Sequence, residues 1–159
     1  KQVVNNYKPT ITINPDWEMV ELGTLAKLVG GSTPSKENSS YWENGNVDWI
    51  TCSDFSNSPM YIEDSIRKIT EKAVKENSTS TVPKDTLVLV TRVSLGKMAF
   101  VRKPTALNQD LTALLFDEEK INKRYGYFFL LSIADKIENA MNQDQQVQEV
   151  DWSQYQFIV

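Results

Sequence analysis

The chain has 159 residues, enough for one domain with a buried core, and its 40% apolar and 24% charged content is that of an ordinary globular protein. It contains no histidine and a single cysteine, Cys52, which excludes Ser-His and Cys-His catalysis and any internal disulfide, and fits a reducing cytoplasm. The net charge of −4 argues against a generic polyanion binder, but residues 61–110 carry nine Lys/Arg against six Asp/Glu between two acidic flanks, so a polyanion is expected to meet the middle third.

No apolar run is long enough to span a membrane, and the start lacks the apolar core of a signal peptide. It also lacks an initiator methionine, so the chain is expected to be part of a longer polypeptide. KQVVNNYKPTITINPD reads as the end of a helix followed by an extended arm, because Pro9 and Pro15 cannot lie inside a helix. Trp17 to Leu22 alternates as a half-buried strand does, and Gly23 to Lys27 can make one helical turn before Gly30-Gly31 ends it. Val47 to Thr51 reads as a short buried strand, and residues 52–65 as loop.

Thr70 predicts the N-cap of a helix, TEKAVKENS, with Ala73 and Val74 on its buried side. TLVLVTR (86–92) is a continuous apolar run, as in a strand covered on both faces, and SLG can turn it into a returning strand, KMAFV (97–101). Pro104 ends that strand, and LTALLF (111–116) supplies another. In residues 118–141 the apolar positions Ile121, Tyr125, Phe128, Phe129, Ile133, Ile137 and Met141 recur at helical steps, and Gly126 marks a bend or a close approach. DWSQY can form a short helix capped by Asp151, and FIV begins a strand. The resulting fold class is mixed α/β (α+β): a twisted, largely antiparallel sheet with hairpins, flanked by helices. Leu87, Leu89, Phe100, Leu114, Phe128 and Phe129 are expected in the core.

Several polar groupings have chemistry of interest, each beside a plainer reading. The loop Gly30-Gly31-Ser32-Thr33-Pro34-Ser35, followed by Lys36, lacks P-loop spacing; its hydroxyls suit phosphates or base edges, or simply a turn. Tyr41, Trp42 and Trp49 can stack on bases or pack beside a strand. Arg92, Ser94 and Lys97 surround a hairpin tip, where Arg92 can address guanine or serve as solubilising charge. Asn108-Gln109-Asp110 can pair with adenine or tie down a turn. An aromatic platform would also suit a carbohydrate-binding module, and 21 acids leave paired-carboxylate hydrolysis open on number alone.

Taken together and in order, WEMVELGTLAKLVGGSTPS, YWENGNVDWITCSDF, IRKITEKAV, VPKDTLVLVTRVSLGKMAFV and ALNQDLTALLF resemble the target recognition domain of type I restriction-modification specificity subunits. The likeness covers residues 17–116 well, and the helical region and DWSQYQFIV acceptably. It implies a non-enzymatic domain that reads one half of a bipartite site in double-stranded DNA, through the major groove. A second recognition domain would read the other half. Methyltransferase (modification) subunits and a restriction/translocase subunit would supply the chemistry with S-adenosylmethionine, ATP and Mg, so that no cofactor and no catalytic or metal-binding residue is expected in this chain.

The resemblance also implies DNA contacts from Ser32, Thr33, Ser35, Lys36, Thr51, Ser53, Arg92, Ser94, Lys97, Asn108 and Gln109. Lys36 and the Ser32 and Thr33 hydroxyls would meet phosphates, while Arg92, Ser94, Asn108 and Gln109 would address bases. Residues 1–16 would be the tail of a preceding spacer helix with an extended arm, and 17–159 a single recognition domain stopping before the next spacer helix. A second recognition domain, or one fused to a methyltransferase, is expected rather than a first.

Overall fold

The computed structural model describes residues 12, 14–55, 60–76, 78–92, 96–143 and 156–158. They form two compact units, one from Lys1–Leu28 with Leu115–Val159 and one from Val29–Leu114. The expected spacer-helix tail in 1–11 and the expected DWSQY helix lie outside the described residues. No helix among the described residues is long and apolar enough to cross a membrane.

In the first unit β1 (Met19–Glu21) pairs antiparallel with β11 (Gln156–Ile158), Val20 opposite Phe157. The expected strand from Trp17 is thus shorter and more exposed, and it passes at Leu22 into a single helical turn, α1 (Leu22–Leu25). That turn stops where Ala26 adopts extended geometry and starts β2 (Ala26–Gly30), a strand the sequence reading placed partly in a helix. The long helix α3 (Lys123–Gln143) starts after Asn122, whose Oδ1 accepts from the amides of Arg124 (2.9 Å) and Tyr125 (3.3 Å) and so satisfies two otherwise orphaned donors.

Its inner face carries Tyr127, Phe129, Leu130 and Ala134, and Phe129 stacks against Phe157 with ring centroids 4.5 Å apart. Gly126 is where α3 presses on Phe116: a Cβ there would stand 2.5 Å from the ring. Close approach, rather than a bend, explains that glycine. Phe128 is 40% exposed, which corrects the expectation that it lies in the core. It sits two residues from Leu130, about 200° around the helix, on the opposite face.

The second unit holds the remaining strands in two sheets. Its strands are β3 (Val47–Ile50), β4 (Tyr61–Ile62), β5 (Arg67–Ile69), β6 (Thr81–Val82), β7 (Leu87–Val90), β8 (Met98–Val101) and β9 (Thr105–Leu107), with β10 (Leu111–Phe116) passing into the first unit. One sheet has the order β2-β10-β7-β8-β4, the other β5-β3-β9-β6. Pairing is largely antiparallel, as expected, but β4 runs parallel to β8 and β3 parallel to β9. The β7–β8 hairpin matches the sequence reading, with Leu87 opposite Phe100 and every residue of both strands buried. Strand β9, directly after Pro104, was not foreseen.

Helix α2 (Glu71–Lys75) is capped by Thr70, whose Oγ1 accepts from the Ala73 amide at 3.3 Å. Ala73 is buried with Trp49, Ile69 and Ala106, and Tyr41, Trp42, Val47 and Val74 close over this cluster. The helix therefore covers one face of the four-stranded sheet.

Candidate nucleic-acid interface

The registers of the four-stranded sheet bring five chain segments to one end. Antiparallel pairing sets Trp49 opposite Arg67, and parallel pairing sets Ile50 beside Leu107. The residues just past these positions, Ile66, Thr51 and Asn108, therefore stand at the same edge. Strand β6 adds Thr79 and Ser80, because Thr81 pairs with Ala106. The loop after β2 completes the group: the Ser32 amide donates to the Leu107 carbonyl (3.0 Å), while the Ser32 hydroxyl donates to the Ser78 carbonyl (2.7 Å).

This loop is clamped from several sides. Gly31 lies so close to the carbonyls of Leu107 and Asn108 that any Cβ would overlap them. The indole N–H of Trp49 donates to the Ser32 carbonyl (3.2 Å) and that of Trp42 to the Ser35 carbonyl (2.9 Å). The two rings meet edge to face, with centroids 5.2 Å apart. The tryptophans thus fix the loop's carbonyls; Trp49 is buried beneath it, while Trp42 is half-buried at its side. Pro34 is buried, and the Thr33 hydroxyl donates to Oε1 of Gln109.

The sequence-predicted residues now divide. Ser32 and Thr33 use their hydroxyl protons within the protein, where they hold the loop to the Ser78 carbonyl and to Gln109. Asn108 is 6% exposed; its Nδ2 donates to Asp110 Oδ2 and its Oδ1 accepts from the Asp110 amide, both at 3.0 Å. A buried amide with both ends engaged fixes a turn rather than reads a base. Gln109 is exposed, and with Oε1 occupied by Thr33 its amide N–H donors face no protein partner among the described residues.

Thr51 is half-buried, with its amide (2.8 Å) and hydroxyl (3.2 Å) both donating to Asp54 Oδ2, while Ser53 is exposed and its amide donates to the Thr51 hydroxyl at 3.3 Å. Arg92 is exposed just beyond β7, where the Thr91 amide and hydroxyl donate to the Asp110 carbonyl (2.8 and 3.1 Å). That pair of bonds ties the hairpin tip to the turn carrying Gln109. Lys97 is exposed on the returning side of the tip, and Ser94 lies outside the described residues. Lys36 and Ser35 are exposed, with Lys36 lining an open depression of about 430 Å³ beside Ser39, Trp42, Glu43, Arg67 and Lys68.

The positive charge of the middle segment is unequally available. Lys68 pairs with Asp48 and, at 2.6 Å, with Asp64, while Lys103 reaches Asp64 at 3.1 Å and Asp48 at 3.8 Å. Hydrogen bonds from Lys68 and then Lys103 hold the Asp64 carboxyl well below the usual carboxylate range. Donating to Asp48 and then to Asp64 raises the Lys68 ammonium above its ordinary value. Arg102 is paired with Asp85 at 3.1 Å. Lys36, Arg67, Arg92 and Lys97 have no acidic partner among the described residues, nor do Lys27, Lys72 and Lys84, and these exposed cations are left to meet an anion. No group of three or more potential metal ligands occurs among the described residues.

A sheet end whose hydroxyls and amides lock the backbone while a few cations and one amide face outward has the make-up of a recognition surface for a structured polyanion. Residues 14–151 match the family described as the type I restriction modification DNA specificity domain, and the chain belongs to that family. It is 35% identical over 118 residues to the type I restriction enzyme MjaIX specificity subunit of Methanocaldococcus jannaschii, covering 74% of this chain and 27% of that protein. Against the EcoR124I/EcoR124II specificity subunit of Escherichia coli it is 35% identical over 127 residues, covering 77% of this chain and 31% of that protein.

The chain thus spans about a quarter to a third of the length of these relatives. Its fold is similar to that of the HsdS subunit from Thermoanaerobacter tengcongensis, with a TM-score of 0.66 at 14% identity over 95% of this chain and 35% of that one. The type I restriction-modification S subunit from M. genitalium gives 0.62 at 15% identity over 91% and 35%.

Proposed function

We propose that this domain reads one half of a bipartite double-stranded DNA target for a type I restriction-modification complex. The observation that carries the reading is the clamped sheet end, from which Gln109 and Arg92 extend on two adjacent segments joined by the Thr91–Asp110 hydrogen bonds. The outward N–H donors of Gln109 suit purine acceptors, and the Arg92 guanidinium suits the two acceptors of guanine. Lys36 and Lys97 supply phosphate contacts that position the duplex without reading it. Ser32, Thr33, Thr51 and Asn108 hold the surface in shape, and Ser35 and Ser53 lie exposed beside it.

In this reading residues 17–159 act as one recognition domain, and a second recognition domain reads the other half-site. Methylation and cleavage belong to the modification and restriction/translocase subunits, which bring S-adenosylmethionine, ATP and Mg, and the complex works in the cytoplasm. A carbohydrate-binding role is disfavoured because Trp49 is buried beneath the loop and Trp42 is held edge to face against it, with its indole N–H bound to the Ser35 carbonyl.

The test compares Arg92→Ala with Lys36→Ala in the complete natural polypeptide with its modification subunits. Binding is measured on the specific site and on a panel of single-pair changes, at two salt concentrations. Arg92→Ala is expected to cost about 1–3 kcal/mol on the specific site and to relax preference at one base pair. Lys36→Ala is expected to weaken all duplexes alike and flatten the salt dependence by about one unit. Uniform weakening by Arg92→Ala, with the rank order of the panel kept, would make Arg92 a phosphate contact and overturn its assignment.

A further inference from the structure

The most exposed large apolar side chain among the described residues is Ile66, at 74%. It is not at a loose tip. Its amide donates to Asp54 Oδ1 at 2.7 Å, and the other oxygen of that carboxylate accepts from the amide and hydroxyl of Thr51. On either side of it, buried Ser65 donates its hydroxyl to the Arg67 carbonyl, and Arg67 begins β5 opposite Trp49. One carboxylate therefore locks Ile66 to Thr51, at the sheet end that carries Gln109. A β-branched side chain on a fixed backbone has few rotamers, so Ile66 is displayed in a defined direction.

Its neighbours decide what it meets. Arg67 follows it directly and Asp64 lies two residues before it, and the other exposed large apolar side chains among the described residues, Trp17, Met19 and Phe128, belong to the first unit, so among the described residues no contiguous apolar patch surrounds it of the kind a protein partner requires. Arg67 is exposed, has no acidic partner among the described residues, and lines the same depression as Lys36, so the ground beside Ile66 favours phosphate. On the base edges of a duplex major groove the one apolar group is the 5-methyl of thymine.

We propose that Ile66 is a specificity-determining residue that reads a thymine through contact with its 5-methyl group, with Arg67 on a neighbouring phosphate. The inference rests on the DNA-recognition reading above and adds a position that the sequence motifs did not mark.

The test uses the complete natural polypeptide with its modification subunits and duplexes in which each thymine of the half-site is replaced in turn by deoxyuridine, which removes only the methyl group. The unaltered protein is expected to lose roughly threefold to tenfold in affinity at one such position, the scale of one buried methyl group. Ile66→Ala is expected to bind the thymine and uridine duplexes alike, with the affinity that the unaltered protein has for the uridine duplex. Arg67→Ala is expected to weaken all duplexes equally and to keep the uridine effect. The proposal is overturned if Ile66→Ala keeps the full thymine-uridine difference, if no uridine substitution affects the unaltered protein, or if the half-site has no thymine. An unaltered protein that binds specific and scrambled duplexes equally would instead overturn the DNA-recognition reading itself.

Discussion

The β7–β8 hairpin and the Gly31–Ser35 loop belong to the same unit and are fixed by opposite means. The hairpin strands are buried along their whole length by Leu, Val, Met, Ala and Phe, and their contacts have no preferred direction. The loop is held by a small set of directional bonds from Trp42, Trp49, Ser32 and Thr33, and by one backbone contact that only glycine permits. Burial secures a strand against almost any neighbour of suitable volume, whereas hydrogen bonds aim a surface. A domain that must present chosen side chains to a rigid partner uses the first for stability and the second for direction.

That contrast can be broken most forcefully in the core. Leu87→Ala and Phe100→Ala are expected to destabilise the domain by about 2–5 kcal/mol in urea unfolding, while half-exposed Phe128→Ala is expected to cost under about 1 kcal/mol. Next in size, Gly31→Ala would force a methyl group into the carbonyls of Leu107 and Asn108 and cost roughly 1–3 kcal/mol. Amide exchange should show the loosening at the sheet end and leave the β7–β8 hairpin protected; equal loosening of both would erase the distinction.

Asn108→Ala sharpens the same point. Leaving the Asp110 amide without its acceptor is expected to cost about 1–3 kcal/mol of stability. The rank order of a base-pair panel is expected to stay unchanged, since both ends of the Asn108 amide are engaged within the turn. A changed rank order would restore Asn108 as a base contact.

The smallest expected effect concerns the Lys68–Asp64 pair. Asp64 has a folded pKa below its unfolded value of about 3.9, so its contribution is present above that pH and is lost as pH falls through the lowered folded value. For Lys68 the folded pKa lies above the unfolded value of about 10.4. Its contribution is present below that pH and lost as pH rises through the raised value. Lys68→Met is expected to remove part of the acid loss and all of this alkaline loss in urea titrations, with high salt shrinking both because the pair is open to solvent.

The parts of this fold legible in sequence are those where one strong preference acts alone. The LVLV run admits a doubly buried strand, and Thr70 before a charged, alanine-containing segment admits a capped helix. Strands β2 and β9 escaped because their residues, AKLVG and TAL, have no alternation and sit beside Gly or Pro; only their pairing partners make them strands. Phe128 was misplaced because steps of three and four admit two neighbouring stripes on α3, and the burial of Tyr127 and Leu130 chose between them.

At the candidate interface, Arg92 and Gln109 were legible as residue types. The opposite role of Asn108 was not, because an amide that caps a turn and one that reads adenine are the same letters. Ile66 could not be found at all, since its display depends on a carboxylate twelve residues earlier in the chain.

The short ladder of β1 with β11 has a geometric consequence. Met19 stands across from Ile158 and Glu21 across from Gln156, so residues 19 and 158 lie about one strand spacing, some 4.8 Å, apart. Everything between is a closed excursion from a single point. A segment whose ends meet in this way can be lengthened, shortened or replaced between them without changing the distance between the two points at which it is joined.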